Sequence, residues 1–153
     1  MQRFQNYILG QWVDGQGVET PLFNAITGAQ IGEVSSAGID FSSVLAYGRQ
    51  NGHALRKMTF QERGRMLKAL ALFLMERKEK YYQVSALTGA TKVDSWIDIE
   101  GGIGNLFANA SLRRQFPDLP YYVDGVAAPL SKNGSFIGHH IMVPKEGVAV
   151  HIN

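Results

Sequence analysis

Apolar side chains return along the middle of this chain at the spacing of a helix face. In TFQERGRMLKALALFLMERKEKYYQVSALTG, Phe60, Leu67, Leu70, Ala71, Leu74 and Tyr81 share one side at intervals of three, four and seven, the period of an amphipathic helix. Thr59 and Glu62 have the capping-box spacing that opens such a helix. Thr88-Gly89 closes it, because glycine readily takes the left-handed conformation of a C-terminal cap. The pattern predicts one helix across this stretch. Upstream, Asp40 is a good N-cap for DFSSVLAYGRQNGHALRKM, where Phe41, Val44, Leu45 and, less regularly, Ala54 and Leu55 predict a helix interrupted near Gly52. A third helix, about Asp94 to Leu112, carries an apolar or small face of Ile97, Gly101, Gly104, Ala108 and Ser111 and ends before Pro117.

Both flanks read as strands. Phe4 to Val13 predicts a strand entering a tight turn at Asp14-Gly15, and Leu22 to Val34 a second extended stretch punctuated by Gly28 and Gly32, together an antiparallel β unit. Beyond Pro117, VAAPLSK and SFIGHHIMV flank Asn133-Gly134, a dipeptide that favours a type I′ hairpin. The turn Pro144-Lys145-Glu146-Gly147 leads into Val148-Ala149-Val150-His151-Ile152, an apolar strand on which the sequence stops. The order β, α, β without an internal repeat makes the class α/β.

Composition narrows the function more than the fold. A chain of 153 residues suffices for one domain, burying roughly 70% of the surface its unfolded form exposes. The 45% apolar and 18% charged residues are ordinary for a soluble globular protein. A net charge of +2, scattered without a basic run, makes nucleic acid an unexpected partner. No apolar run approaches the ~18 residues of a membrane span, and MQRFQNYILG has no basic n-region followed by a long apolar h-region, so a cytoplasmic protein is expected. The absence of cysteine excludes disulfides, thiolate metal sites and a thiol nucleophile from these residues.

Local chemistry is sparse. Gly101-Gly102-Ile103-Gly104 sits inside a helical pattern, whereas a phosphate-binding glycine loop follows a strand and opens a helix. The neighbours His139 and His140 point to opposite faces of a strand and do not readily grip one metal. Asp94, Asp98 and Glu100 have no partner base, nucleophile or ligand at a telling spacing, and read as solvated helix charges. The residues alone describe an α/β chain without catalytic apparatus.

The segment MTFQERGRMLKALALFLMERKEKYYQVSALTGATKVDSW resembles the N-terminal region of aldehyde dehydrogenases, in which a capped helix with an arginine one turn in, here Arg63, leads to a Thr-Gly stop. EGVAVHIN resembles the first strand of that family's nucleotide-binding sheet. TGATKVDSWIDIEGGIGNLF is similar to the aldehyde dehydrogenase half of bifunctional phenylacetate-degradation proteins, with semialdehyde dehydrogenases of benzoyl-CoA oxidation as near competitors. The resemblance covers residues 1–153 and implies an incomplete N-terminal part of the fold: strands, helices, a hairpin arm and the first nucleotide-binding strand. It implies an NAD- or NADP-dependent oxidation of a CoA-linked semialdehyde in aromatic catabolism by a homo-oligomer. The nucleophilic cysteine and general-base glutamate would lie outside this chain, leaving it inactive alone. Ile152 and Asn153 would flank the dinucleotide, and Asp98, Gly102 and Phe107 would line the substrate tunnel. The alternative is a non-catalytic interaction module that keeps the family's oligomerisation surface.

Overall fold

Two adjacent residues with positive φ, Leu9 at 52° and Gly10 at 79°, bend the N-terminal stretch back on itself in the computed structural model, which describes residues 2–152. A two-residue connection of this kind matches the twist of a hairpin. Strands β1 (Arg3–Phe4), β2 (Asn6–Ile8) and β3 (Gln11–Val13) therefore replace the single strand expected over residues 4–13, with Ile8 opposite Gln11. The turn lies at Leu9-Gly10 and not at Asp14-Gly15. β4 (Thr20–Phe23) and β5 (Gln30–Val34) pair antiparallel with each other, so the antiparallel pairing expected between residues 4–13 and a single extended stretch over residues 22–34 forms between β4 and β5 instead. Between them the Asn24 side-chain oxygen accepts from the Ile26 and Thr27 amides, and Gly28 turns at φ 71°. β1 adds to the other edge of β5 in parallel. A Cβ at Gly32 would stand 2.7 Å from the Gln2 carbonyl, so only glycine lets β1 come this close.

Helix α1 (Phe41–Lys57) starts at Asp40, whose carboxylate accepts from the Ser42 amide, and runs through Gly52 without a break. Glycine inside a helix costs up to ~1 kcal/mol against alanine, which weakens a helix without ending it. The next predicted helix is two. α2 (Phe60–Met75) opens with the Thr59–Glu62 capping box, both bonds formed, at 3.1 and 2.8 Å. It stops at Glu76, Arg77 leaves helical geometry (φ −111°, ψ 7°), and α3 (Lys78–Leu87) restarts at once. Arg77 ties the break down: its guanidinium donates to the Phe73 carbonyl at 3.0 Å and lies 3.6 Å over the Phe73 ring. Gly89, at φ 85°, ends α3 as expected.

Helix α4 (Lys92–Ser111) is capped by Thr91 and Asp94, so Asp94 has a structural duty, and it passes into a 3-10 helix, Leu112–Gln115. Its buried side is Ser95, Ile103 and Ala110, with Ile99 and Leu106 half-buried; α4 packs on α2, with its buried Ala71, and through Ser95 on Ser85 of α3. That is not the face expected from the sequence. Ile97, Gly101, Gly104 and Ala108 are exposed, Ile97 by 59%. A Cβ on Gly101, Gly102 or Gly104 would meet nothing within 4 Å, so these glycines do not serve close packing within the chain. Gly64 of α2 does: its Cβ would lie 2.8 Å from Arg113 Cβ and 3.0 Å from the Ala110 carbonyl.

The chain closes with the antiparallel hairpin of β6 (Tyr122–Pro129) and β7 (Ile137–Met142). Its connection is longer than a type I′ turn. Residues 130–136 join the strands, held by the Leu130 amide on the Phe136 carbonyl at 2.8 Å and the Gly134 amide on the Ser131 carbonyl at 3.0 Å, and Gly134 takes positive φ while Asn133 does not. Residues 148–152 join no ladder, against the expectation of a strand there. A strand of a parallel sheet is defined by its neighbours, and the described residues supply none.

Ala71, Ile103 and Ala110 are the buried apolar residues of the core. The accessible surface is 11608 Å², against roughly 7,700 Å² for a self-contained protein of this mass. Large apolar side chains contribute to it: Val126 is 90% exposed, and Phe136, Val143 and Val150 more than half.

Candidate functional site

A cleft of about 670 Å³ lies where α3 turns back along α4. Lys78 and Tyr82 are one turn apart on α3, and Trp96 and Glu100 one turn apart on α4, so both pairs face the same gap. Lys78 Nζ donates to Glu100 Oε1 at 2.9 Å and the Tyr82 hydroxyl to the same oxygen at 2.8 Å. The Lys78 hydrogen bond first, then that from Tyr82, hold the Glu100 carboxyl below the usual carboxylate range. Desolvation, and then the Glu100 carboxylate, push the Tyr82 phenol up. Deeper in, the Ser85 and buried Ser95 hydroxyls share a hydrogen bond of 2.8 Å. Ala86, Ala90, Val93 and Trp96 make the apolar wall. Glu100, read from the sequence as a solvated charge, is thus the polar centre of the cleft. The signal was available: two pairs at helical spacing on consecutive helices joined by a short turn.

A second, shallower hollow of about 290 Å³ is lined by Leu74, Tyr81, Ile99, Gly102, Ile103 and Leu106. Gly102 therefore borders open apolar space. Asp98 is exposed and Phe107 half-buried. A helix advances about 100° per residue, so Asp98 and Gly102 share one side of α4 while Phe107 lies half a turn from Asp98, on the side of Trp96 and Glu100.

Ile152 is 93% exposed, and Asn153 lies outside the described residues. With no ladder at 148–152 the described residues form no cradle for a dinucleotide, so no chemical step can be assigned to them through one. His139 and His140 sit on β7 beside Asp124 of β6, and no group of three or more His, Cys, Asp or Glu among the described residues gathers where a metal ion could be held. Gly101 to Gly104 lie within α4, away from any helix N-terminus. No helix among the described residues is long and apolar enough to cross a membrane.

Residues 12–123 match the model of the aldehyde dehydrogenase family. The chain belongs to that family. As an aldehyde dehydrogenase chain it is 33% identical, over 153 residues, to the 3,4-dehydroadipyl-CoA semialdehyde dehydrogenase of Aromatoleum evansii. That alignment takes in 99% of this chain and 30% of the relative. The crystal structure of an NAD-dependent benzaldehyde dehydrogenase from Corynebacterium glutamicum superposes with a TM-score of 0.66 at 19% identity, covering 82% of this chain and 28% of that one. The architecture is thus that of an aldehyde dehydrogenase, in agreement with the sequence resemblance, and the chain spans about a third or less of the length of these relatives.

Proposed function

We propose that this chain is the N-terminal portion of an NAD- or NADP-dependent aldehyde dehydrogenase that oxidises a CoA-linked semialdehyde to its acid in the breakdown of aromatic compounds, phenylacetate among them. The observation that carries the reading is the identity of 33% sustained along the whole chain with an enzyme named for a CoA semialdehyde. Within the family, TGATKVDSWIDIEGGIGNLF favours the aldehyde dehydrogenase half of a bifunctional phenylacetate-degradation protein.

Residues 1–153 contribute walls and assembly surface to that enzyme, and no reacting group. Without a cysteine they have no thiol to attack an aldehyde. On this reading Asp98, Gly102 and Phe107 of α4 border the substrate tunnel, Ile152 and Asn153 flank the dinucleotide, and the protein works in the cytoplasm. The β6–β7 arm carries Val126, Ile137 and Ile141, all more than half exposed, and its free edges suit pairing with a second copy.

The test is to supply the full-length protein with a CoA-linked semialdehyde and either dinucleotide, and to follow nicotinamide reduction by absorbance. Turnover of the CoA-linked substrate, with none by residues 1–153 alone, is expected. Turnover by the isolated chain, or indifference of the full-length protein to all CoA-linked aldehydes, would refute the reading. Light scattering reports the assembly, and a monomer stable to concentration would remove the homo-oligomer.

A further inference from the structure

The α3–α4 cleft has a wall, a polar centre and a charge balance that the tunnel and dinucleotide readings leave unused. Its about 670 Å³ falls within the ~300–1,000 Å³ typical of sites for small organic ligands. Its ionic groups balance in number: Lys78, paired with Glu100, and Lys92 line it together with the carboxylates of Glu79 and Glu100. A balanced site of this kind does not select a polyphosphate, which needs excess positive charge.

What the cleft offers instead is apolar length with hydrogen-bonding groups at intervals. Trp96 is 56% exposed and Val93 64%, beside Ala86 and Ala90. Both protein donors at Glu100 reach Oε1, which leaves Oε2 to accept from a ligand. Lys92 stands at the far end by the α3–α4 turn with no ion-pair partner among the described residues, ready to donate to a carbonyl.

We infer that this cleft holds the pantetheine arm of the CoA-linked substrate: a neutral chain whose methyl and methylene groups lie on Trp96 and Val93, with one amide N–H donating to Glu100 Oε2 and one amide carbonyl accepting from Lys92. The inference rests on the reading of a CoA-linked substrate. The arm is uncharged, as the cleft requires, and the phosphates it carries remain in solvent. The reacting aldehyde lies beyond the cleft, so Trp96 and Lys92 are binding residues and take no part in the chemistry.

Two variants test it in the full-length protein. Trp96→Ala removes the wall, and Ala86→Phe fills the cleft from an exposed rim position that leaves the fold intact. Calorimetry with free pantetheine and the Michaelis constants for a CoA-linked semialdehyde and for the same aldehyde without CoA are the readouts. Each variant is expected to weaken pantetheine binding and raise the Michaelis constant of the CoA-linked substrate by about tenfold, the scale of losing one aromatic contact in a desolvated site. The free aldehyde and the melting temperature should be unchanged. A wild-type protein that prefers the CoA-linked aldehyde, with variants that do the same at unchanged affinity, overturns the cleft assignment. So does an equal loss for both aldehydes. A wild-type protein that treats both aldehydes alike while binding pantetheine in a Trp96-dependent way sinks the substrate reading and keeps the cleft.

Discussion

Adding one methyl group at Gly64 should destabilise this protein, although the same change elsewhere in its helices should help. In an unobstructed helix, Gly→Ala gains up to ~1 kcal/mol through helix propensity. At Gly64 the new Cβ would lie 2.6 Å from Arg113 Cδ, 2.8 Å from Arg113 Cβ and 3.0 Å from the Ala110 carbonyl. The arginine tip can swing aside, but its Cβ and the carbonyl move only with the backbone. Overpacking of that kind costs about 1–3 kcal/mol, which outweighs the propensity gain. Gly52 is the control, since the nearest atom to its added Cβ is the flexible Arg56 Nη1 at 4.0 Å. Thermal unfolding followed by the helical circular dichroism signal should place Gly52→Ala above the parent and Gly64→Ala below it. With about 2–4 °C per kcal/mol for a chain of this size, the two should differ by several degrees. If Gly64→Ala melts at or above Gly52→Ala, α2 does not approach the end of α4 as closely as described.

Thr59→Ala removes the hydroxyl that accepts from the Glu62 amide, the side-chain half of the capping box that opens α2, and should cost ~1 kcal/mol, read as a lower urea midpoint that Thr59→Ser largely restores. For Glu100, whose folded pKa lies below the ordinary range, the stabilisation is present above the unfolded carboxylate pKa and fades as pH falls through the folded value. Glu100→Gln should therefore flatten the acid limb of a melting-temperature profile, and a superimposable limb would show that Lys78 and Tyr82 do not favour the ionised form. Gly102→Leu, at a position with open space beyond it, should raise the Michaelis constant for a CoA-linked aldehyde in the full-length protein and leave a small free aldehyde and the melting temperature nearly unchanged. Equal loss for both aldehydes with a several-degree fall in melting temperature would assign Gly102 to packing.

What the sequence determined by itself about this protein is what acts within a turn or two of chain. The Thr59–Glu62 box, the Asp40 cap and the Gly89 stop involve atoms a few residues apart, and each lies where the residue pattern places it. Family membership was legible for a related reason, since those signals recur in order along the chain. The tertiary structure alone decided which faces meet. Apolar periodicity ran on past Glu76, yet the helix breaks there so that α3 can turn Lys78 and Tyr82 onto Glu100 of α4, partners 22 and 18 residues away. The buried side of α4 could not be read off its small and apolar residues, because Ser95 is inside and Ile97 outside. Burial is a property of two surfaces, and only the crossing of α2 over α4 chose one stripe for the core while leaving Trp96 and Glu100 to the cleft. The strand expected over residues 148–152 has the same explanation: its composition was apolar and β-prone, but a ladder is made of hydrogen bonds to a neighbour, and a neighbour is not a property of the segment itself.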